Sequence, residues 1–205
     1  LDFMRRLSAT RPPLFDNDRP TVLYAPHFRA ELSSWPLLGT RIINAFAAQQ
    51  TYNLVVAPHI RLFHRASRQA RAQIEAMAVP GKILIDLGSK RLLDMSYTSG
   101  ADIYLGDVSS QVYEFLDTPR PCVFLNAHAV AWQEDPNYLF WTLGEVTDSV
   151  AGAMAAVGRA HSEHARYSAL QKETLALSVG GDPAGAARRG AEAIVHFLHA
   201  ERAGR

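Results

Sequence analysis

Five short apolar runs alternate with amphipathic segments, and this alternation constrains the fold more than any other feature of the sequence. The runs have the length of β-strands and cover residues 21–28, 52–58, 82–87, 101–107 and 121–126. Stretches such as Leu54-Val55-Val56 and Ile83-Leu84-Ile85 are apolar at consecutive positions, so both faces of each strand must be buried, as in a parallel sheet. The pattern predicts an α/β protein with a Rossmann-like, doubly wound parallel sheet.

The segments between these runs have helical periodicity. After Ser33-Ser34, the apolar residues Trp35, Leu38, Ile42 and Phe46 recur at spacings of three and four, which predicts an amphipathic helix. Asp148 can cap a later helix that extends to about residue 157. The same reasoning predicts further helices over about 66–77, 92–95, 109–116, 160–176 and 186–200, and a sixth strand over 143–147.

The domain organisation follows from composition along the chain. Residues 1–20 are rich in Pro, Arg and Asp, which predicts a linker or lead-in. Residues 21–178 form the predicted domain, and 179–205 form a C-terminal helix expected to pack back on it. Because the chain begins with Leu1, we expect it to be part of a longer protein.

Composition excludes several classes of function. The net charge is +1, so no global electrostatic attraction to nucleic acid is expected. No apolar run approaches the roughly 20 residues that span a bilayer, and no signal peptide is recognisable. The single cysteine, Cys122, excludes an intrachain disulfide and is typical of a reducing compartment. We therefore expect a cytoplasmic protein, with the inner face of the cell membrane as a further expected location.

The stretch Gly106-Asp107-Val108-Ser109-Ser110 turns abruptly from a predicted strand into a predicted helix. In a parallel sheet, ligands bind at the carboxyl ends of the strands. One serine can cap the helix, and the other can hold a diphosphate together with the first free N–H groups. Alternatively, both serines only cap and solvate the helix end. Glu114, one turn further on, can accept both hydroxyls of a ribose or can be a solvated helix residue.

Two predicted strands end in the same residues, Ala-Pro-His, at 25–27 and 57–59. We therefore expect His27 and His59 to lie near each other across neighbouring strand ends in the predicted sheet. His59 can donate a hydrogen bond to a phosphate or act as a general acid or base. Arg29 is a candidate phosphate contact. The alternative is that the two Pro-His pairs only terminate strands.

Other motifs give weaker signals. Arg61, Arg65 and Arg68 share a predicted helical face that suits an anionic acceptor, lipid head groups or plain solvent. The aromatic residues of segment 127–141 suit base stacking, a contact with a missing domain, or packing under their own loop.

No cofactor or metal is expected. The sequence has neither GxGxxG after a strand nor GxxxxGK[ST], which disfavours dinucleotide and P-loop sites. The Asp-Asn-Asp at 16–18 has the DxD form of metal-dependent sugar transferases but lies in the lead-in. The His pairs 161/164 and 196/199 lack further ligands.

Segment 99–125 resembles the nucleotide-binding half of the CDP-glycerol glycerophosphotransferases, a family that makes teichoic-acid-like polymers. The family pattern is an apolar strand, Asp-Tyr-Ser-Ser, an acid four residues on, and Arg-Pro before the next strand. The matching positions here are Asp107, Ser109, Ser110, Glu114 and Arg120-Pro121. Val108 replaces the tyrosine, and Glu114 replaces the usual Asp. The stretches 22–29, 55–61 and 180–198 resemble other parts of the family, although Pro58 precedes His59 where the family has His-Pro.

The resemblance covers about residues 20–200 and implies the C-terminal domain of a two-domain, GT-B-type transferase, with an N-terminal acceptor domain as partner. It implies a nucleotide-diphosphate donor of the CDP-glycerol kind and transfer of a glycerophosphoryl group to a hydroxyl of a cell-envelope acceptor. The substrate-binding set is Ser109, Ser110, Glu114, Asp107, His27, Arg29 and Gln111, and His59 is the catalytic candidate. Two alternatives stay open: a UDP- or CMP-sugar glycosyltransferase or epimerase-like domain, and a non-catalytic nucleotide-binding module.

Overall fold

A computed structural model describes residues 13–179 and 185–203. Its centre is a six-stranded sheet in which every adjacent pair is parallel. The strands are β1 (Thr21–Ala25), β2 (Asn53–Val56), β3 (Ile83–Ile85), β4 (Ile103–Gly106), β5 (Cys122–Leu125) and β6 (Glu145–Thr147). Five of them are the predicted apolar runs, and β6 confirms the sixth. The predicted α/β class with a doubly wound parallel sheet is thus confirmed.

Helices separate the strands. They are α1 (Trp35–Ala48), α2 (Arg68–Glu75), α3 (Ser96–Gly100), α4 (Gln111–Phe115), α5 (Val150–Glu163), α6 (Ala165–Val179) and α7 (Ala186–Ala203). Two 3₁₀ helices, Lys90–Leu92 and Pro136–Leu143, complete the described elements. The amphipathic spacing of residues 35–46 is confirmed, since Leu38, Ile42, Ile43 and Phe46 are buried on one face of α1.

The sheet has a core on each face, because alternate strand residues point to opposite sides. Val22 and Tyr24 of β1 pack with α1 and α5 on one face. Leu23 and Ala25 pack on the other face with α3, α4 and the second 3₁₀ helix. This double burial explains why the strands are apolar at consecutive positions.

The strand order places the switch point of the sheet between β1 and β4. The order is β3-β2-β1-β4-β5-β6, so the chain builds outward from β1 and then crosses back to build outward from β4. Ala25 is in register with Gly106, so the loops that follow β1 and β4 leave the sheet side by side. Ligands of doubly wound sheets bind in the crevice at such a point.

Some helix ends differ from the predictions. The cap of α5 is Ser149, whose hydroxyl accepts from the Gly152 N–H at 3.2 Å, and not Asp148. The predicted helix over 92–95 was wrong. Ser89 caps the first 3₁₀ helix, and Met95, with a φ of 59°, separates that helix from α3. Arg61 and Arg65 lie in turns before α2, which begins at Arg68, so the predicted common helical face is absent.

The aromatic residues of segment 127–141 pack together. Trp141 is buried, and its ring centroid lies 4.7 Å from that of Tyr138 and 5.8 Å from that of Trp132. Of the three interpretations of this segment, packing under its own chain is the one that fits.

The last helix, α7, differs from the expectation that it packs back on the domain. Its apolar side chains Ile194, Val195, Phe197 and Leu198 are exposed. The residues 180–184 that join it to α6 are outside the described part of the chain. No helix within the described ranges is long and apolar enough to cross a membrane.

Candidate functional site at the carboxyl edge of the sheet

Two turns of the same construction follow β1 and β2. Each contains the sequence Ala-Pro-His-X-Arg, at 25–29 and 57–61. In each turn, the histidine Nδ1 accepts a hydrogen bond from the arginine backbone N–H, at 3.1 Å for His27 and 3.2 Å for His59. The His59 N–H also donates to the Pro26 carbonyl at 3.1 Å, which ties the turns together. The repeated sequence thus produces a repeated local structure.

Both imidazoles pack against one aromatic ring. The ring centroid of Phe28 is 4.6 Å from that of His27 and 4.5 Å from that of His59, and the two imidazole centroids are 6.2 Å apart. The Arg61 guanidinium lies 4.5 Å from the Phe28 centroid, a cation–π distance. The prediction that His27 and His59 are neighbours across strand ends is therefore confirmed as a matter of position.

The protonation state of these histidines follows from their surroundings. Burial lowers the pKa of His27, and the neighbouring His59 lowers it further. Burial likewise lowers the pKa of His59, with Arg61 adding to the effect. Because Nδ1 accepts from a backbone N–H in both rings, the neutral form carries its proton on Nε2. Each ring therefore presents an N–H donor, which suits an anion better than it suits proton abstraction.

Asp107 occupies the switch point between β1 and β4. Its side chain is fully buried, and Oδ2 accepts from the backbone N–H groups of His27 and Ser34, both at 2.8 Å. Burial raises the pKa of Asp107 to about 6, while the bonds from His27 and Ser34 oppose that rise. The carboxylate therefore binds the protein's own backbone, and its burial argues against the direct substrate contact predicted from the sequence.

The two serines of the β4 loop differ in environment. The Ser109 hydroxyl accepts from the Gln111 N–H at 3.2 Å, which confirms that one serine caps the turn. Ser110 is exposed and its side chain makes no capping bond. Helix α4 has only five residues, so its dipole adds little, and anion binding at this loop must rely on hydroxyl and N–H donors. Glu114 is exposed one turn further on, a position open both to a ligand and to solvent.

Arg120 supports the backbone of the segments next to this loop, a role that was not predicted from the sequence. Its guanidinium donates to the carbonyl oxygens of Ala101 at 2.6 Å, Thr98 at 2.9 Å and Phe115. These carbonyls belong to the C-terminal ends of the short helices α3 and α4. The guanidinium also lies 3.9 Å from the Phe115 ring centroid. The Arg-Pro of the family resemblance is thus a structural support here.

Most of the predicted site residues lie in loops at one edge of the sheet. His27 and Arg29 follow β1, His59 follows β2, and the 107–114 segment follows β4. A pocket of about 280 Å³ adjoins the histidine pair and is lined by Phe28, Arg61, Leu62, His64 and Arg65. Among residues 13–179 and 185–203, no three His, Cys, Asp or Glu side chains are placed to hold a metal ion.

A larger cavity lies elsewhere. It has about 650 Å³ and sits at the amino edge of the sheet, between the lead-in from Pro13 to Pro20 and the region of Ser96–Gly100. The carboxyl edge is the better candidate, because parallel sheets bind ligands there.

Phe28 and Arg61 were missed as members of the site. The signal was present in the sequence, because two copies of Ala-Pro-His-X-Arg predict two equal turns with their arginines in equal places. The role of Phe28 gave no such signal, since its ring position depends on how the two turns meet in space.

No protein-family model matches the sequence, and the comparison with curated proteins gives no significant match. Solved structures do match. The wall teichoic acid polymerase TagF has a TM-score of 0.60 at 12% identity, covering 98% of this chain and 48% of the polymerase. A histidine variant of TagF soaked with CDPG has a TM-score of 0.60 at 15% identity, covering 98% and 46%. The glycotransferase of kitacinnamycin has a TM-score of 0.52 at 17% identity, covering 91% and 46%.

These identities show a shared fold and no more. The chain spans about half the length of the solved structures that it matches. The predicted GT-B-type, Rossmann-like fold is thus confirmed.

Proposed function

We propose that this chain is the donor-binding domain of a transferase that uses CDP-glycerol or a related CDP-alcohol. It would move a glycerophosphoryl group to a hydroxyl of a cell-envelope acceptor. One observation carries the proposal: two Pro-His turns and the Asp107–Ser110 loop meet at the switch point of a parallel sheet. The fold shared with a TagF structure soaked with CDPG supports the choice of donor.

In this proposal, hydroxyl and N–H donors hold the diphosphate of the donor. Ser109 and Ser110 contact it from the β4 loop, and Gln111 lines the same turn. Glu114, one helical turn on, accepts the ribose hydroxyls. The Nε2–H groups of His27 and His59 contact the phosphates from the opposite wall of the crevice, with Arg29 supplying positive charge.

The proposed reaction needs positioning and charge stabilisation more than covalent chemistry by the protein. The acceptor oxygen attacks the phosphorus that carries the glycerol, and the bond from that phosphorus to CMP breaks. The hydroxyl proton passes to a base outside these loops, in the acceptor-binding half. Since Nδ1 of His59 already accepts an N–H, we assign His59 to hydrogen bonding with the departing phosphate.

The chain would act together with an N-terminal acceptor domain. We propose 1–20 as the lead-in, 21–178 as the donor domain and 179–205 as the C-terminal helix. This role implies a cytoplasmic protein that works at the inner face of the cell membrane, where an anionic surface is a further proposed partner.

A sugar-nucleotide donor is the second candidate. The fold shared with the glycotransferase of kitacinnamycin favours it, because the same carboxyl-edge loops then hold the diphosphate of a UDP- or CMP-sugar. The two candidate donors differ in the preferred nucleobase, and the proposed phosphate contacts are common to both.

Calorimetric titration with CDP-glycerol, CDP and UDP tests the proposal on wild type and on Ser109→Ala/Ser110→Ala. Each hydroxyl bond to a charged phosphate is worth about 1.5–3 kcal/mol, so the double variant should bind at least about tenfold more weakly. Ser162→Ala is the matched control, since its exposed hydroxyl donates to the Arg159 carbonyl of α5. Far-UV circular dichroism checks that the double variant is folded.

Each outcome has a defined meaning. Tighter binding of cytidine nucleotides supports the CDP donor, and tighter binding of UDP supports the sugar nucleotide. Equal affinity of wild type and double variant would remove the serines from the site. Binding of none of the three nucleotides would leave the chain without its proposed donor.

A further inference from the structure

A single buried carboxylate oxygen joins two strands' loops at the switch point. Oδ2 of Asp107 accepts from the His27 N–H, where the β1 turn begins, and from the Ser34 N–H, at the start of α1. It therefore closes the loop 27–34 at both ends. Oδ1 of the same carboxylate is buried and has no hydrogen-bond partner in the described part of the chain. Both of these hydrogen bonds thus connect the carboxylate to the loop that follows β1.

The loop held in this way carries the residues that face the crevice. His27, Phe28 and Arg29 lie within it, and Phe28 contacts both imidazoles. Other side chains bond its far end: the Tyr24 hydroxyl and the Ser34 hydroxyl are 2.8 Å apart, and His128 Nε2 donates to the Ser33 carbonyl at 3.0 Å. At the His27 end, Asp107 is the side chain that fixes the backbone.

We propose that Asp107 is a positioning residue that locks the 27–34 loop onto β4 and so sets the His27 imidazole beside Phe28 and His59. The inference deepens the proposed function, because it names what organises one wall of the donor crevice. Its structural content stands without that function, since it concerns where His27 lies whether or not a nucleotide binds.

Two features offset part of the cost of burying the Asp107 charge. An anion at the start of the 14-residue helix α1 is favoured by the helix dipole, and charge-assisted hydrogen bonds are stronger than neutral ones. The titratable groups that face it are Tyr24 on β1, Tyr104 on β4, His27 on the loop and His128 beyond β5. At neutral pH the tyrosines are uncharged, because burial and then Asp107 raise their pKa values.

Amide hydrogen exchange and histidine titration by NMR test the inference on the full 205-residue chain. In Asp107→Ala, the amides of His27 and Ser34 should exchange at least tenfold faster, while those of Leu54 and Val55 in β2 keep their protection. The pKa of His27 should rise toward its ordinary value of about 6.5, because the ring leaves its buried place beside His59. The affinity for CDP, measured in parallel, should fall.

Asp102 supplies a matched control. Its Oδ2 accepts from the Thr21 N–H at 2.7 Å, so it is also an aspartate on the β4 segment that binds the β1 backbone, but at the opposite edge. Asp102→Ala should leave the His27 titration and the His27 and Ser34 amides unchanged. A general loss of stability would instead raise exchange at all amides together in either variant.

Asp107→Asn keeps an oxygen that can accept both N–H groups and removes the buried charge, so exchange at His27 and Ser34 and the His27 pKa should stay close to wild type. If Asp107→Ala does not fold, Asp107→Ser replaces it, because the serine hydroxyl lies one bond further from the two N–H groups. Unchanged local exchange in folded Asp107→Ala or Asp107→Ser, or a uniform rise at all amides, would overturn the proposal. If wild type binds no CDP while local exchange behaves as expected, the proposed function fails and the positioning role stands.

Discussion

Removing the Arg120 side chain should destabilise the domain far more than removing an exposed arginine. Its guanidinium is partly buried and donates to the carbonyls of Thr98, Ala101 and Phe115. Those carbonyls lie at the C-terminal ends of α3 and α4, where the backbone has no helical donors of its own. In Arg120→Ala they lose their partners and the cation–π contact with Phe115 is lost as well.

The expected size follows from the number of carbonyls left unpaired. A buried polar group without a partner costs about 1–3 kcal/mol, and water entering the vacated space recovers part of it. Three carbonyls together give a loss of about 3–5 kcal/mol in the free energy of unfolding. For a domain of this size, that corresponds to a fall in Tm of roughly 6–20 °C. The stability of Arg120→Lys should lie between that of wild type and that of Arg120→Ala, because an ammonium group lacks the planar fork that reaches several acceptors.

Urea denaturation followed by tryptophan fluorescence and far-UV circular dichroism measures this loss. The matched control is Arg159→Ala, which removes an exposed pair with Glu145 and should leave the urea midpoint nearly unchanged. The reasoning is refuted if Arg120→Ala unfolds at the wild-type midpoint with an unchanged slope. A stable Arg120→Ala variant that binds CDP more weakly would make Arg120 a ligand contact instead of a structural support.

Two further predictions concern the same region. Since burial raises the pKa of Asp107 from 3.8 to about 6, the folded state favours the neutral carboxyl, so stability is highest below pH 4 and falls as the pH rises through 6. Relative to Asp107→Asn, the wild-type free energy of unfolding should therefore fall by on the order of 3 kcal/mol between pH 4 and pH 7, measured by urea titration at each pH; parallel curves would contradict this. In Gly106→Ala, the new Cβ would lie 2.7–2.8 Å from the buried Tyr104 ring, so thermal melting should show a loss of about 1–3 kcal/mol. Gly158→Ala in α5 meets no atom within 4 Å and should be neutral or stabilising, so equal effects of the two changes would show that the Tyr104 ring yields.

The sequence was sufficient for the sheet, because the information for buried parallel strands is local. Runs such as Leu54-Val55-Val56 can only be satisfied with both faces covered, and each run became a strand. The neighbourhood of His27 and His59 followed from the same logic, since both end parallel strands. Ser109 as a capping residue was also predictable from its place after β4.

The side-chain-to-backbone bonds could not be predicted in this way. Asp107 and His27 are 80 positions apart, and no periodicity in the sequence indicates that the Asp107 carboxylate will accept the His27 N–H. Arg120 was visible only as half of an Arg-Pro pair, and its three acceptors come from segments that meet through tertiary packing. Asp148 and Ser149 are adjacent candidates for one cap, and the backbone of Ser149, extended at φ −136°, decided between them.

The pairing of β1 with β4 has a consequence for how the chain reaches its fold during synthesis. Thr21 and Asp102, which meet at the start of this pair, are 81 positions apart. At about 5–20 residues per second, a ribosome needs roughly 4–16 s to make the chain between them. Throughout that interval β1, apolar on both faces, has one edge without its native partner, and such an edge invites pairing with other chains. Slowed synthesis between β1 and β4 should therefore reduce the soluble yield more than the same slowing after β4. A shortage of chaperones should also reduce the soluble yield.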